Sequence, residues 1–320
     1  MTNGVATTAT AFAPASIGNL GVGFDVLGLA IAGPGDRVTA ERQDAPGVVI
    51  AAITGDGIGA DAHLLSRDAL SNTAGIAAAA IWQAGKGSGG ISLTLHKGTP
   101  LGSGMGSSAA SAVAGAVAAN ALLEQPLEHS AVLEAALEGE AFASGARHAD
   151  NVAPSLYGGL VLCPPGRLPH CESLALPDGL VSVLVHPHLR VDTAAARQAL
   201  SESVPLKTAV TQSGLLACFV QACARGDRDG IAASLRDVMI EHQRSRFVPG
   251  FESVKAAALE QGALGTSLSG SGPSVFAICD AAAGDAVSAA MVAAFESGGV
   301  GCDYWLSSAS APGAVLESVS

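Results

Sequence analysis

The stretch Pro100-Leu-Gly-Ser-Gly-Met-Gly-Ser-Ser108 separates an alternating apolar and polar segment, Ile91–Leu95, from an Ala-rich run that begins near Ser107. Alternation at a period of two predicts a strand before the loop, and the run after it predicts a helix from about Ser107 to Leu123. Gly102, Gly104 and Gly106 remove side chains where a backbone must curl around a ligand. Free N–H groups and the positive end of the following helix then point at one place, which suits phosphate oxygens. Ser107 and Ser108 can cap the helix, touch phosphate or ligate Mg2+. Alone, the loop is also compatible with a serine-capped strand-to-helix turn. No Gly-Lys-Ser/Thr triplet makes it a Walker loop. Gly104–Ala109 does fit the Gly-x-Gly-x-x-Ala dinucleotide pattern, but no acidic residue closes a strand about 20 residues later, where the ribose contact should fall.

Working outward, Ala6–Ala13 reads as a strand ended by Pro14, followed by the glycine-punctuated segment Gly18–Gly28. Val48–Ile53 reads as a strand, Leu64–Ala84 as a long helix, Glu128–Ala143 as a helix and Leu160–Cys163 as a short strand. The cluster Pro164-Pro165-Gly166 marks an expected boundary, dividing the chain into 1–166 and 167–320. Beyond it, Leu180–Val185 and Val275–Cys279 read as strands. Thr193–Ser201, Thr208–Arg225, Phe251–Gln261 and Ala286–Phe295 read as helices, and Ser269–Ser274 forms a second Gly/Ser loop. This mixture fits an α/β or α+β architecture.

The 320 residues are 49% hydrophobic, enough for two cores. A net charge of −12 with no run of Lys or Arg argues against a nucleic-acid partner. Only Lys86, Lys97, Lys207 and Lys255 are available as lysine partners for a polyanion. The most apolar stretch, Ala109–Leu123, contains Ser111 and Asn120 and is short for a bilayer span, so no membrane association is expected. Met1–Thr10 has neither the basic start nor the apolar core of an export signal. The six cysteines lack C-x-x-C spacing and read as reduced thiols of a cytoplasmic protein. His186-Pro-His188 reads as a strand-end pair, without the partners of a zinc site.

Three separated segments resemble the GHMP kinases, the family of galactose, homoserine, mevalonate and phosphomevalonate kinases. They are Ala13-Pro-Ala-Ser-Ile-Gly-Asn-Leu-Gly-Val-Gly-Phe-Asp25, the central loop continuing through Ser107-Ser-Ala-Ala-Ser111, and Leu268-Ser-Gly-Ser-Gly-Pro-Ser274. They stand in the family's order and span nearly the whole chain. Asn19–Asp25 and Arg147-His-Ala-Asp-Asn-Val-Ala-Pro154 look like segments of the members that act on homoserine rather than on sugars or mevalonate. Met105 stands where the family usually has Leu, a volume-conserving change. The resemblance implies a two-domain α+β fold, with an N-terminal domain like domain 2 of ribosomal protein S5 and a ferredoxin-like C-terminal domain. It also implies ATP on the central loop, Mg2+, L-homoserine between the domains as phosphoryl acceptor, a role in threonine biosynthesis, and a homodimer. Another alcohol substrate, or a non-catalytic nucleotide-binding regulator on the same fold, remains an alternative.

The resemblance places Asn19, Asp25, His148, Asp150, Thr193, Arg197, Arg244 and Gly270 at the substrate, with Asp25 accepting from its hydroxyl. In isolation Asn19 and Asp25 would serve a turn, and His148 would be a structurally bonded histidine. Asn151 stands where several relatives carry a catalytic Asp, and an amide cannot act as a carboxylate base. Arginine's planar fork suits bidentate capture of a carboxylate, and Arg246 lies near enough to exchange with Arg244. For ATP the implied contacts are Asn72, Lys97 and the run Pro100, Leu101, Gly102, Ser103, Gly104, Met105, Gly106, Ser107, Ser108, Ala109 and Ala110. Ser108 and Glu140 are the implied Mg2+ partners, and phosphoryl transfer needs such a cation because charge gathers on the β- and γ-oxygens.

Overall fold

In the computed structural model the first half of the chain forms β1 (Thr8–Gly18), β2 (Leu27–Gln43), β3 (Gly47–Thr54), α1 (Thr73–Ala84), β4 (Gly90–Lys97), α2 (Ser107–Ala121), α3 (His129–Ser144), α4 (Ala149–Tyr157) and β5 (Leu160–Leu162). The second half forms β6 (Glu172–Leu174), β7 (Leu180–Pro187), α5 (Thr193–Gln198), α6 (Leu206–Arg225), α7 (Arg228–Ser234), α8 (Glu241–Arg244), α9 (Phe251–Glu260), β8 (Ala263–Leu268), β9 (Val275–Asp280), α10 (Gly284–Ser297), β10 (Cys302–Ser308) and β11 (Val315–Val319). The structure describes residues 6–320, so Met1–Val5, half of the stretch read for an export signal, lie outside the described residues.

Two sheets organise these elements. One runs β11-β1-β2-β4-β3, with β5 added to β2 and β6 to β5. Only β3 and β4 pair parallel in it. The other is antiparallel, in the order β10-β7-β9-β8. The fold is α+β, as the resemblance implies. The expected boundary at residue 166 falls between β5 and β6, which pair with each other, and β11 returns from the chain's end to the first sheet.

Alanine decides how the first layer packs. Ala74, Ala77, Ala109, Ala112 and Ala116 are fully buried where α1, α2 and α3 cover the sheet with Val38, Ile91 and Leu93. Short side chains let helix and sheet backbones approach closely, so burial comes from backbone proximity rather than from large groups. A second cluster lies between the two sheets. It joins Ile17, Leu20, Leu27 and Met105 from the first half to Leu184, Phe219, Phe276 and Ile278 from the second. Met105, at the centre of the Gly/Ser loop, is therefore one of the bolts between the halves.

Several elements differ from the sequence expectation. Pro14 does not end β1, which continues to Gly18 through a register irregularity between Pro14 and Ser16, where the missing proline N–H can be absorbed. The long β2 was hidden by Gly28, Gly33, Pro34 and Gly35. The helix expected from Leu64 begins only at Thr73, where the Asn72 side chain accepts from the Ala74 N–H; short 3-10 turns precede it. The residues after His148 form α4, with Pro154 inside it, where the sequence reading assigned no element.

Candidate active site

Gly102, Gly104 and Gly106 all have positive φ, at 61°, 75° and 65°, a region that L side chains enter at a cost. Gly106 is the N-cap residue of α2, so the loop ends where that helix's free N–H groups begin. The turn places the loop against the other two motif segments. The Ser16 N–H donates to the Met105 carbonyl at 3.0 Å. Ser274 donates to the Ser103 carbonyl through its Oγ at 2.6 Å, and Ser269 Oγ donates to the Gly104 carbonyl at 2.6 Å. The Gly270 N–H reaches the Gly18 carbonyl at 3.0 Å. The three motifs are thus one interlocked knot. His186 joins it from behind, its Nδ1 lying 3.1 Å from Ser274 Oγ, and burial pushes its pKa down to about 4.

The loop opens on a cavity of about 400 Å³ lined by Asn72, Lys97, Leu101, Gly102, Ser103, Gly104, Gly106, Ser107, Ser108, Glu140, Asn151, Thr193 and Gly270. Ser108 Oγ donates to Glu140 Oε2 at 2.6 Å on the cavity wall. Burial pushes the Glu140 carboxyl up to about 7, against the lowering effect of the Ser108 bond. Asn72 has its amide engaged, capping α1 and donating to the Ser66 carbonyl at 2.9 Å. The Lys97 ammonium turns beneath the loop. It pairs with Asp36 and donates to the Ser107 carbonyl at 2.9 Å, to Ser107 Oγ at 2.7 Å and to Ser111 Oγ at 2.8 Å.

A polar cluster adjoins the cavity through Asn151 and Gly270. Asn19, Leu20 and Asp25 are left-handed without being glycine, strain that is common at functional turns. Asn19 Oδ1 accepts from the Asp25 N–H at 3.0 Å, which is the turn role expected of an isolated Asn/Asp pair. Its Nδ2 also donates to the Gly270 carbonyl at 2.9 Å, and its N–H donates to Asp150 Oδ2 at 3.1 Å. Arg197 grips Asp25 with both fork nitrogens, at 2.9 and 2.7 Å, and His148 Nδ1 lies 3.6 Å from the same carboxylate. Arg244 donates to the Gly270 carbonyl at 3.1 Å, while its buried Nε has no partner among the described residues.

Electrostatics in this cluster follow from burial. Asp150 is pushed up to about 7, first by desolvation and then by the nearby Asp25 charge. Burial lowers His148 and Arg244, whereas the Asp25 hydrogen bonds raise Arg197. Asp25 is paired with Arg197, whereas neither Asp150 nor Arg244 bonds to an oppositely charged side chain among the described residues. Asn151 accepts from Ser16 Oγ at 3.0 Å and lines the cavity, between loop and cluster. Thr193 lines the cavity from the first residue of α5. Of the two nearby arginines it is Arg244 that enters the cluster; Arg246 stacks on Phe247 instead.

Three contributors were not legible in the sequence. Phe24 lies under both guanidiniums, 5.0 Å from Arg197 and 5.3 Å from Arg244, and so holds two like charges against one ring. Its position next to Asp25 was the one available signal. Asp36 anchors Lys97 from the long strand that the sequence reading missed. Arg190 lines the cavity beside Gly102, whose carbonyl accepts from the Val191 N–H at 3.0 Å. Among the described residues there is no cluster of three or more His, Cys, Asp or Glu arranged for a metal, and no helix long and apolar enough to cross a membrane.

A glycine loop at a helix start, walled by a hydroxyl–carboxylate pair and adjoining a charged cluster, is an arrangement suited to phosphoryl transfer. Residues 72–159 match the family model for the GHMP kinases N terminal domain and 219–297 the model for GHMP kinases C terminal. The chain belongs to the GHMP kinase family. It is 45% identical over 309 residues to the homoserine kinase of Xanthomonas campestris pv. campestris (strain B100), covering 96% of this chain and 94% of that one. The crystal structure of homoserine kinase from Cytophaga hutchinsonii ATCC 33406 superposes with a TM-score of 0.92 at 40% identity, covering 99% of each chain. L. major mevalonate kinase shares the fold, with a TM-score of 0.66 at 18% identity, covering 96% of this chain and 98% of that one.

Proposed function

We propose that the protein transfers the γ-phosphoryl group of ATP to the side-chain hydroxyl of L-homoserine, giving ADP and O-phospho-L-homoserine for threonine biosynthesis. The observation that carries this reading is the gathering of Asp25, Asp150, Arg197 and Arg244 in one cluster, joined to the loop cavity through Asn151 and Gly270. An α-amino acid brings an ammonium and a carboxylate together. A sugar carries neither charge, and mevalonate carries only the carboxylate. The guanidinium of Arg244, whose buried Nε has no partner among the described residues, suits the carboxylate, beside the Asp25 that Arg197 holds. An ammonium near Asp150 would favour its charged form, offsetting the burial that now opposes it. The 40–45% identity to homoserine kinases over most of the chain supports the same acceptor.

The residues divide the work. The N–H groups of the loop and of the α2 start bind the phosphates, and Gly102–Gly106 bring the backbone within reach. Ser108 and Glu140 offer hard oxygen donors, and one hydroxyl with one carboxylate beside nucleotide phosphates is a donor set that fits Mg2+. When bound there, the ion would neutralise charge on the β- and γ-oxygens. Asn19 and Asp25 orient the hydroxyl, while Arg197 holds the Asp25 carboxylate in place. Asn151, an amide with no basic form, aligns acceptor and donor at the junction of the two pockets.

Coupled measurement of ADP release, with L-homoserine, mevalonate and galactose compared at saturating ATP and Mg2+, tests the assignment. Brisk turnover is expected with homoserine alone. Negligible turnover of homoserine beside rapid turnover of another alcohol would overturn it. Binding of ATP without transfer to any alcohol would favour a non-catalytic regulator.

A further inference from the structure

Cys163 and Cys171 flank the turn between β5 and β6. The pairing register sets Leu160 against Leu174, Val161 against Ser173 and Leu162 against Glu172, so one further step sets Cys163 opposite Cys171. The Cys163 N–H donates to the Val26 carbonyl at 2.7 Å, on the β2 side. Towards β6, Cys163 therefore takes a non-hydrogen-bonded position, where opposing Cα atoms approach to about 4.5 Å and side chains come closest. A disulfide needs Cα atoms roughly 4.4–6.8 Å apart. Both side chains belong to the same apolar cluster, with Cys163 buried and Cys171 partly buried against it. Cys171 also lines a second cavity with Ser130, Tyr157, Pro169, His170 and Ser173, which gives a small reagent a route to the sulfur.

The pair touches the substrate cluster on two sides. Through its backbone Cys163 holds Val26, the residue after Asp25. Through its thiol it reaches the Ala149 carbonyl at 3.6 Å, between His148 and Asp150. The Cys163 thiol also has the Val161 carbonyl in reach, at 4.0 Å. Cys171, partly exposed and lining the second cavity, is the sulfur a reagent meets first, and the buried Cys163 is the resolving one.

We propose that Cys163 and Cys171 form a reversible disulfide by exchange with a low-molecular-weight disulfide, and that its formation weakens the homoserine site. The Cys171 thiolate attacks one sulfur of the reagent, making a mixed disulfide and releasing one thiol. Cys163 then attacks the Cys171 sulfur, its proton leaving with the second thiol. Two protein thiols are oxidised and one external disulfide is reduced to two thiols. The oxidised pair has no S–H for the Ala149 carbonyl, so the backbone between His148 and Asp150 loses that tie. The activity arm of this proposal rests on the homoserine kinase reading.

The test uses the whole chain treated with oxidised glutathione, alkylated, digested without reduction and mapped by mass spectrometry. A linked Cys163–Cys171 peptide pair is expected, with kcat/KM for homoserine reduced several-fold and restored by dithiothreitol. Cys218, the exposed cysteine on α6, reports whether the reagent acted. Cys171→Ser, with Cys171→Ala as a second variant, is expected to keep the reduced activity and lose its sensitivity to the reagent. Modified Cys218 beside fully alkylated Cys163 would overturn the proposal. So would a disulfide that leaves kcat/KM unchanged, or a sensitivity that survives in both variants. Peptide mapping needs no substrate, so failure of the reduced protein to phosphorylate homoserine would be read separately.

Discussion

Lys97 and Asp36 offer the sharpest energetic test, because the pair is nearly solvent-free, at 1% and 0% exposure. Asp36 also accepts from the N–H groups of Gly98 and Thr99 at 3.1 and 3.2 Å, and from the hydroxyls of Thr99 and Ser111 at 2.7 and 2.6 Å. Lys97→Met removes the cation and leaves a buried carboxylate without its counter-charge, a change that costs about 3–5 kcal/mol. Unfolding entropy of about 2.1 cal/mol/K per residue, over a chain of this length, comes to roughly 0.67 kcal/mol/K, so Tm should fall by about 4–8 °C. Asp36→Asn should cost a similar amount by stranding the ammonium. In the double variant neither charge is stranded, and the loss should be smaller than the sum of the singles by about 2 kcal/mol. Differential scanning calorimetry of the four proteins gives the cycle. Additivity within about 0.5 kcal/mol would refute the claim that the two act as one unit. Because Lys97 also holds Ser107 at the start of α2, isothermal titration of either folded single variant should show weakened ATP binding.

Gly104→Ala would bring a Cβ to 2.5 and 2.6 Å from the Ser269 and Gly272 carbonyls at a φ of +75°; ATP affinity should collapse while far-ultraviolet circular dichroism is largely retained, and unchanged affinity would contradict the interlocked loop. Arg197→Ala should raise the homoserine KM by at least tenfold, from loss of a charge-assisted contact of about 1.5–3 kcal/mol, and leave the ATP KM nearly unchanged. Ser108→Ala should do the reverse, shifting the Mg2+ and ATP dependence, and steady-state kinetics on both substrates separates the two. Glu140 and Asp150 are raised to about 7 in the folded chain, against about 4 when unfolded. Between those values the folded state binds protons that the unfolded state does not, so stability from these groups is lost as pH rises towards 7. Tm measured from about pH 5 to 7.5 should therefore fall less steeply in Asp150→Asn than in the unaltered protein, and parallel curves would count against a buried, protonated Asp150.

The Gly/Ser loop was legible because its requirement is local. Three glycines at alternate positions and serines at a helix start carry their backbone geometry with them, and the observed φ values are the ones such a loop needs. The helices α2, α3 and α6 were legible for the same reason, through runs of apolar residues at helical spacing. The strands β2 and β11 were not. Glycine and proline in β2, and the exposed edge position of β11, remove the alternation that marks a half-buried strand. The first helix was read too long because Leu64–Ser71 is apolar enough to pass for helix, while Asn72 stops it by capping α1. The motif order along the chain named the residues of the site, but it did not say which would touch.

Sequence alone therefore determined the chemistry on offer: a phosphate loop without a Walker lysine, two carboxylates and two arginines near glycine-rich turns, and the family to which they belong. Tertiary structure decided how that chemistry is used. It turned Lys97 onto Asp36 beneath the loop, chose Arg244 over Arg246 and placed Phe24 under two guanidiniums. Each of these depends on contacts between residues far apart in the chain and on burial that strengthens or silences a charge. Neither the contacts nor the burial exists until both sheets have closed around the loop.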